Sequence, residues 1–201
     1  MTRILLIRHG STDALGRELS GRVRDVPLNA RGRDEALALA DRLIEWQPVA
    51  LYASPLVRTR ETAALIGERL RLAPRSCPDL LEFDFGRFGG RTFAELDGDE
   101  AWRRFNVFRS GTRPPQGETI IEVQARMARA IERMCADHPD ATVAVVSHAD
   151  PIKALLALWL GISLDALRRF EIAPATFCAV DLLGFGAVVR CIGAGVGAAA
   201  R

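Results

Sequence analysis

The chain has 201 residues, of which 49% are hydrophobic and 26% charged, a balance typical of one globular domain. Its 27 basic and 25 acidic residues give a net charge of +2 without a block of like charge, so we expect no nucleic acid and no membrane surface as a partner. No apolar run approaches the ~20 residues of a membrane span, and the first residues lack the pattern of a signal peptide. We therefore expect a cytoplasmic protein.

Buried strands and helices alternate along the first part of the chain. Residues 3–7 form a continuous apolar run, which is typical of a strand buried on both faces. A helix is predicted over residues 30–46, with Asn29 as its N-cap. The apolar run "VALYAS" (49–54) predicts a second buried strand, and "RTRETAALIGERLRL" (58–72) predicts a second helix.

The stretch from about 72 to 117 is rich in Gly, Pro and Phe and has weak periodicity. This composition predicts loops and short helices that cover part of the molecule, as an insertion within a single domain of residues 1–201. Its phenylalanines at 83, 85 and 88 are interpreted as core residues.

Regular elements return after this insertion. A helix is predicted from Glu118 to about Ala136, a third buried strand over 141–148, and a helix over 151–160 that stops at Gly161. Two closing strands, 176–183 and 187–193, are expected to form an antiparallel hairpin, and residues 193–201 a frayed tail. The alternation predicts an α/β fold, a three-layer sandwich whose mostly parallel central sheet is flanked by helices.

Reactive side chains follow all three buried strands. The first strand ends in Arg8 and His9, Arg58 lies about one helical turn beyond the second, and the third ends in His148. Because the carboxyl ends of parallel strands meet at one edge of a sheet, these four residues are expected to converge.

Two arginines and two histidines suit a tetrahedral oxyanion. Guanidinium groups bind phosphate through paired, charge-assisted hydrogen bonds, and a neutral imidazole can attack phosphorus while a second donates to an oxygen. A leaving alkoxide also needs a proton, and either Glu82 or Asp84 could supply it. A metal ion would be repelled by the arginines, and no Cys, Asp or Glu set is spaced to complete a metal site, so neither metal nor cofactor is expected.

Six segments, spread over roughly residues 3 to 160, resemble in order the motifs of the histidine phosphatase superfamily, also called the phosphoglycerate-mutase-like family. They are "LLIRHGSTD", "DVPLNARGRDEALALADRL", "YASPLVRTRETA", "LLEFDFGRFGG", "PPQGET" and "VAVVSHADPIKALL". The resemblance implies that His9 attacks phosphorus and becomes a phosphohistidine, while Arg8, Arg58 and His148 cradle the phosphoryl oxygens. It also implies that Glu82 is the acid that protonates the leaving group and then activates water.

The resemblance further implies that Ser11, Thr12 and Ala149 bind the substrate near its phosphate. The compact insertion without lysine favours a phosphatase over a mutase, similar to the α-ribazole phosphatase-type members. Asp150 stands where small residues are common in the family. We favour its interpretation as an N-terminal helix cap before Pro151, and the alternative is a contact that sets substrate specificity.

These observations predict a metal-independent phosphomonoesterase that acts on a small phosphorylated metabolite through a phosphohistidine. The alternatives are a phosphoglycerate-type phosphomutase and a non-catalytic phosphoryl-binding module. A homodimer stays open. One or two arginines of the insertion are expected to meet a distal anionic group of the substrate; the candidates are Arg87, Arg91, Arg103, Arg104, Arg109 and Arg113.

Overall fold

The structure, a computed structural model, describes residues 1–22 and 26–195. Its strands are β1 (Thr2–Arg8), β2 (Ala50–Ala53), β3 (Pro74–Ser76), β4 (Thr142–Ser147), β5 (Phe177–Leu183) and β6 (Gly186–Ala194). Its α-helices are α1 (Ala30–Leu43), α2 (Val57–Leu70), α3 (Phe93–Asp97), α4 (Glu100–Val107), α5 (Ile120–Asp137) and α6 (Ala149–Leu160).

All six strands form one sheet in the order β3-β2-β4-β1-β5-β6. The first four strands of that order are parallel, whereas β5 runs antiparallel to β1 and β6 antiparallel to β5. The expected α/β fold with a mostly parallel sheet is therefore confirmed, and so is the closing hairpin.

Side chains of the central strands alternate between two apolar clusters, one on each face of the sheet. Leu5 and Ile7 point into the cluster that contains Leu39 and Ile66 of α1 and α2. The other cluster receives alternate residues such as Ile4 and packs against α5, α6 and the insertion. This period-two alternation buries both faces and produces the three layers.

The predicted helix ends agree with the structure where the sequence carries a capping residue. Asn29 Oδ1 accepts a hydrogen bond from Gly32 N at 2.8 Å and caps α1. Gly161 ends α6 with φ +65°, a left-handed conformation that glycine adopts without steric cost. Of the expected frayed tail, residues 196–201 lie outside the described residues, as does Asp25 of the second motif.

The segment 72–117 contains the expected short helices, but it also adds β3 as a parallel edge strand beside β2. The sequence did not predict β3, because it has only three residues, all exposed, and no alternation of apolar and polar positions. Phe83, Phe85 and Phe88 are confirmed as core residues, each no more than 4% exposed. The assignment of residues 1–201 to a single domain stays a prediction.

Within the described residues, no helix combines the length and the apolar character that crossing a bilayer requires.

The loop after β1 lies directly against the start of α1. A Cβ added to Gly32 would lie 2.0 Å from Ser11 O, and one added to Gly10 would lie 2.4 Å from Gly32 O. Glu35 fastens the same contact, because its carboxylate accepts hydrogen bonds from both Ser11 N and Ser11 Oγ at 3.0 Å. The position of the loop beyond β1 thus depends on two glycines that let the backbones touch.

We expect Gly32→Ala to lower the free energy of unfolding by about 1–3 kcal/mol, because the new methyl group would displace the loop backbone. Urea denaturation measures this difference. Gly98→Ala is the matched control, since a Cβ there meets no atom within 4 Å and the backbone is right-handed helical. Equal stability of Gly32→Ala and the parent protein would contradict the close contact.

Candidate active site

The register of the parallel strands brings the predicted residues to one edge of the sheet. Arg8 lies opposite Ser147 at the ends of β1 and β4, and His9 N donates to Ser147 O at 3.1 Å. Ser54, at the end of β2, is held in the same way by a hydrogen bond from its N to Val146 O at 3.0 Å. The expected convergence at the carboxyl ends is thus observed.

His9 is held with one nitrogen directed at Arg58. Its Nδ1 lies 2.8 Å from Gly10 O, so Nδ1 carries the proton and donates, because a carbonyl oxygen can only accept. Nε2 then carries the lone pair, and it accepts a hydrogen bond from Arg58 Nε at 3.2 Å. Burial, together with the positive charge of Arg58, holds the pKa of His9 well below its usual value. The imidazole is therefore neutral near pH 7, with Nε2 as its nucleophilic atom.

Both arginines are anchored by backbone carbonyls. Arg58 Nη2 donates to Gly21 O at 3.1 Å, and Arg8 Nη1 donates to Ile172 O at 2.6 Å. Arg8 Nε is buried and has no hydrogen-bond partner among the described residues. Burial lowers the pKa of Arg8, although the nearby carboxylate of Glu82 opposes this shift. A buried guanidinium with an unused donor is suited to an anionic ligand.

His148 lies behind His9, with the two ring centroids 5.2 Å apart and the planes at 64°. Its Nε2 is 2.8 Å from Ser54 Oγ, while Nδ1 has no hydrogen-bond partner among the described residues. Complete burial and the charge of Arg58 hold the pKa of His148 well below its usual value. Sequence reasoning missed Ser54, which orients this ring; its position at the end of the second strand was the available signal.

Glu82 is placed beside the histidines by the insertion. Its Oε2 lies 3.9 Å from His148 Nδ1, its Oε1 accepts a hydrogen bond from Phe83 N at 2.8 Å, and its side chain is 13% exposed. Burial, together with the negative charge of Asp150, raises the pKa of Glu82 to about 7. The carboxyl group therefore holds a proton for part of the time at neutral pH, as a general acid must.

A buried ion-pair network fixes the backbone of Glu82. Arg22 Nε and Arg126 Nη2 donate to Glu82 O at 2.6 and 3.2 Å, and both arginines bind Glu118 Oε1, at 2.6 and 2.8 Å. Glu118 also accepts from Asp84 N at 2.9 Å, so it positions the loop that carries Glu82. The sequence left Glu118 between the start of a helix and a role near the pocket, because its partners Arg22 and Asp84 lie 96 and 34 positions away along the chain.

A cavity of about 480 Å³ opens in front of these residues. Arg8, His9, Arg58 and Glu82 line its inner end, whereas His148 is fully buried behind it. The insertion forms the opposite wall with the side chains of Phe85, Phe93, Asp97, Trp102, Asn106 and Arg109.

The three predicted substrate-binding residues have different positions. Thr12 and Ala149 line the cavity, and Ala149 opens α6, whose N-cap His148 makes no side-chain capping bond. The N-terminus of α6 therefore lies at the cavity, an arrangement that favours binding of an anion. The hydroxyl of Ser11 donates to Glu35 Oε1 at 3.0 Å instead, and Ser11 is not among the residues that line the cavity.

The interpretation of Asp150 as a helix cap is wrong. Asp150 lies inside the first turn of α6, and the N-cap position belongs to His148. The Asp150 carboxylate lies 3.1 Å from Arg109 Nη1, and both side chains line the cavity. A buried cation from the insertion binds this carboxylate, so it faces the cavity and does not cap the backbone. Of the six candidate arginines named for the insertion, Arg109 is the one that lines the cavity.

Within residues 1–22 and 26–195, no group of three or more His, Cys, Asp and Glu side chains is placed to hold a metal ion.

The family model for branch 1 of the histidine phosphatase superfamily matches residues 4–194. The chain therefore belongs to this superfamily, as its motifs indicated.

Several relatives are similar over most of the chain. A bifunctional protein of Mycobacterium tuberculosis is 35% identical over 189 residues, which cover 92% of this chain and 52% of that protein. The chain thus spans about half the length of the first curated relatives it matches. A glucosyl-3-phosphoglycerate phosphatase of the same organism is 33% identical over 168 residues, 79% of this chain and 75% of that protein. A probable phosphoglycerate mutase of Proteus mirabilis is 32% identical over 186 residues, 90% and 85% of the two chains.

Among solved structures, a candidate α-ribazole-5′-P phosphatase from Escherichia coli superimposes with a TM-score of 0.85 at 27% identity. The match covers 98% of this chain and 99% of that one. The relatives and structural neighbours thus include named phosphatases. His9, Arg58 and Glu82 all lie in the part of the chain that these proteins share with it.

We expect Asp150→Asn to lower the pKa of Glu82, because the substitution removes the negative charge that disfavours ionisation of the neighbouring carboxyl group. Carboxyl carbon shifts followed by NMR across a pH titration measure the pKa directly. Asp41→Asn is the control, since it removes an exposed carboxylate paired with Arg69 outside the cavity. An unchanged Glu82 titration in Asp150→Asn would show that burial alone sets this pKa.

Proposed function

We propose that this protein is a metal-independent phosphomonoesterase that acts on a small phosphorylated metabolite through a phosphohistidine at His9. The observation that supports this most directly is the state of the His9 ring. Its Nε2 lone pair is fixed at the inner end of the cavity by the contacts of Nδ1 with Gly10 O and of Nε2 with Arg58. Two guanidinium groups and a protonatable carboxyl group border the same space.

In the first step, His9 Nε2 attacks the phosphorus atom of the bound ester. The new N–P bond forms as the bond between phosphorus and the ester oxygen breaks. The protonated Glu82 carboxyl donates its proton to that oxygen, so the leaving group departs as an alcohol and Glu82 becomes a carboxylate.

In the second step, the Glu82 carboxylate accepts a proton from a water molecule whose oxygen attacks the same phosphorus atom. The N–P bond breaks, inorganic phosphate is released, and both His9 and Glu82 return to their starting protonation states. One group thus serves first as acid and then as base, and a pKa of about 7 suits both roles near neutral pH.

The phosphoryl oxygens would be bound by Arg8 and Arg58, by the N–H groups at the start of α6, and by His148 Nδ1. The unpartnered Nδ1 of His148 supports this role, because the Ser54 hydroxyl can donate to Nε2 and leave the proton on Nδ1. Such preorganised donors stabilise the charge that shifts onto these oxygens in the transition state.

A small substrate fits a cavity of about 480 Å³, part of whose wall is formed by residues of the insertion such as Phe85, Trp102 and Arg109. Among the relatives, one named phosphatase acts on glucosyl-3-phosphoglycerate, which is consistent with a phosphorylated metabolite here. Hydrolysis is favoured over a mutase reaction because the insertion is compact and contains no lysine. Repulsion of cations by Arg8 and Arg58 supports chemistry without a metal ion.

The test is release of phosphate from p-nitrophenyl phosphate and glycerol 3-phosphate in EDTA by the parent protein and by His9→Ala. We expect activity that survives EDTA and falls at least about 10³-fold in His9→Ala, because the nucleophile is lost. Rapid quenching in alkali, in which phosphohistidine persists, should trap a phosphorylated His9 peptide. Full activity in His9→Ala would refute the mechanism, and loss of activity in EDTA would refute metal independence.

We expect Glu82→Gln to lower kcat/KM for glycerol 3-phosphate by about 10²–10⁴-fold. The kcat/KM for p-nitrophenyl phosphate should fall much less, because p-nitrophenolate is a weak base that leaves without a proton. In the parent protein, kcat/KM for glycerol 3-phosphate should decline as pH rises through about 7, where Glu82 loses its proton. Equal losses for both esters would assign Glu82 a structural role.

A further inference from the structure

Lys153 is the only lysine in the chain, and the fold places it in the wall of the cavity. It lies on α6 one helical turn after Ala149, so it faces the same side of the helix as the residues at the inner end of the cavity. The residue is only 5% exposed, which is unusual for lysine unless its ammonium group is paired.

The one charged group within ion-pair distance of Lys153 in the described residues is the carboxylate of Glu171, with Nζ 3.0 Å from Oε2. The two side chains differ greatly in exposure, at 6% for Lys153 and 76% for Glu171. Because Glu171 is mostly exposed, water can solvate its carboxylate when it leaves the ammonium group. The ion pair is therefore weak, and another anion can replace Glu171 in it. An ammonium group also has three N–H donors, and a single carboxylate oxygen does not use all of them.

The segment 170–172 joins Lys153 to the phosphate-binding end of the cavity. The ring of Phe170 lies with its centroid 5.7 Å from Lys153 Nζ, Glu171 pairs with the same ammonium, and Ile172 O accepts a hydrogen bond from Arg8 Nη1 at 2.6 Å. Neighbouring residues of one short segment thus contact both cations. Arg8 and Lys153 also line the same cavity of about 480 Å³, so a ligand bound there can meet both cations.

The second buried cation of the cavity wall has a different partner. Arg109, with a side chain 7% exposed, pairs with Asp150, whose side chain is only 16% exposed. Removal of either member would leave a buried charge unpaired, so this pair is not open to exchange. Of the two, Lys153 is the cation whose partner a ligand can replace.

We propose that Lys153 binds a carboxylate on the leaving group of the substrate, and that the exposed Glu171 occupies this position when no substrate is bound. The inference rests on the proposed function for the phosphate end of the site. It assigns the substrate to a class: short phosphate monoesters whose alcohol carries a carboxylate a few bonds from the ester oxygen. The like-charged Glu171 carboxylate weakens binding of this class, and its displacement frees the ammonium.

The test compares two esters that differ only in this group, 3-phosphoglycerate and glycerol 3-phosphate. Dissociation constants are measured by calorimetry in the His9→Ala background, so that binding is read without turnover. We expect 3-phosphoglycerate to bind more tightly, and we expect Lys153→Met, which keeps the length and apolar stem of the side chain, to reduce this preference by about 10–100-fold. Arg168→Met, at an exposed cation that also lines the cavity, should reduce it much less.

Glu171→Gln provides the second variant, because an exposed residue can be changed without disrupting the core. It should increase the preference for 3-phosphoglycerate by about two- to fivefold, since the competing carboxylate is gone. A purely structural Lys153–Glu171 pair predicts no such gain. The proposal is overturned if the parent shows no preference for 3-phosphoglycerate, or if Lys153→Met keeps it. Hydrolysis by His9→Ala would contradict the proposed function and leave the binding result intact.

Discussion

The parallel pairing of β1 with β4 determines the site. Arg8 lies opposite Ser147, and a histidine follows each of these residues in the sequence. The register therefore brings His9 and His148 together, with their ring centroids 5.2 Å apart. A slip of one residue in this register would turn every strand side chain to the other face, and both apolar clusters would be lost. The hydrophobic core thus fixes the positions of the two histidines, and contacts with Ser54, Gly10 and Arg58 orient their rings.

The charged and polar groups at the inner end of the cavity are electrostatically costly to bring together. Two guanidinium groups lie at the inner end of the cavity beside two imidazoles whose burial keeps them neutral. Donors such as Arg8 Nε and His148 Nδ1 are buried without partners among the described residues. Each such group costs free energy that a phosphoryl oxygen would offset, which makes the site complementary to an anion. The close contact of Gly32 with the loop after β1 and the ion pairs around Glu118 hold the chain in this unfavourable state.

The sequence predicted those features that depend on local patterns. Continuous apolar runs identified three of the parallel strands, and the position of His9, Arg58 and His148 beyond those runs identified the site. Residues that act through long-range contacts were not predictable in this way. Ser54 orients His148 across 94 positions of the chain, and Arg22 binds the Glu82 carbonyl across 60. A periodic sequence pattern cannot reveal such long-range pairs, because the residues around each partner show no unusual feature.

Asp150 shows how a local interpretation fails when a distant partner decides the outcome. A short acidic residue before a proline is a good helix cap, yet Arg109 of the insertion binds this carboxylate and it faces the cavity. Ser110, the next residue of the insertion, donates through both N and Oγ to Asp165 at 2.8 Å, so the insertion is fastened to the body of the protein beside Asp150. One of the charges that raise the pKa of Glu82 is therefore held in place by the segment that lines the cavity. The contact between Arg109 and Asp150 thus links the insertion both to the cavity wall and to the protonation of Glu82.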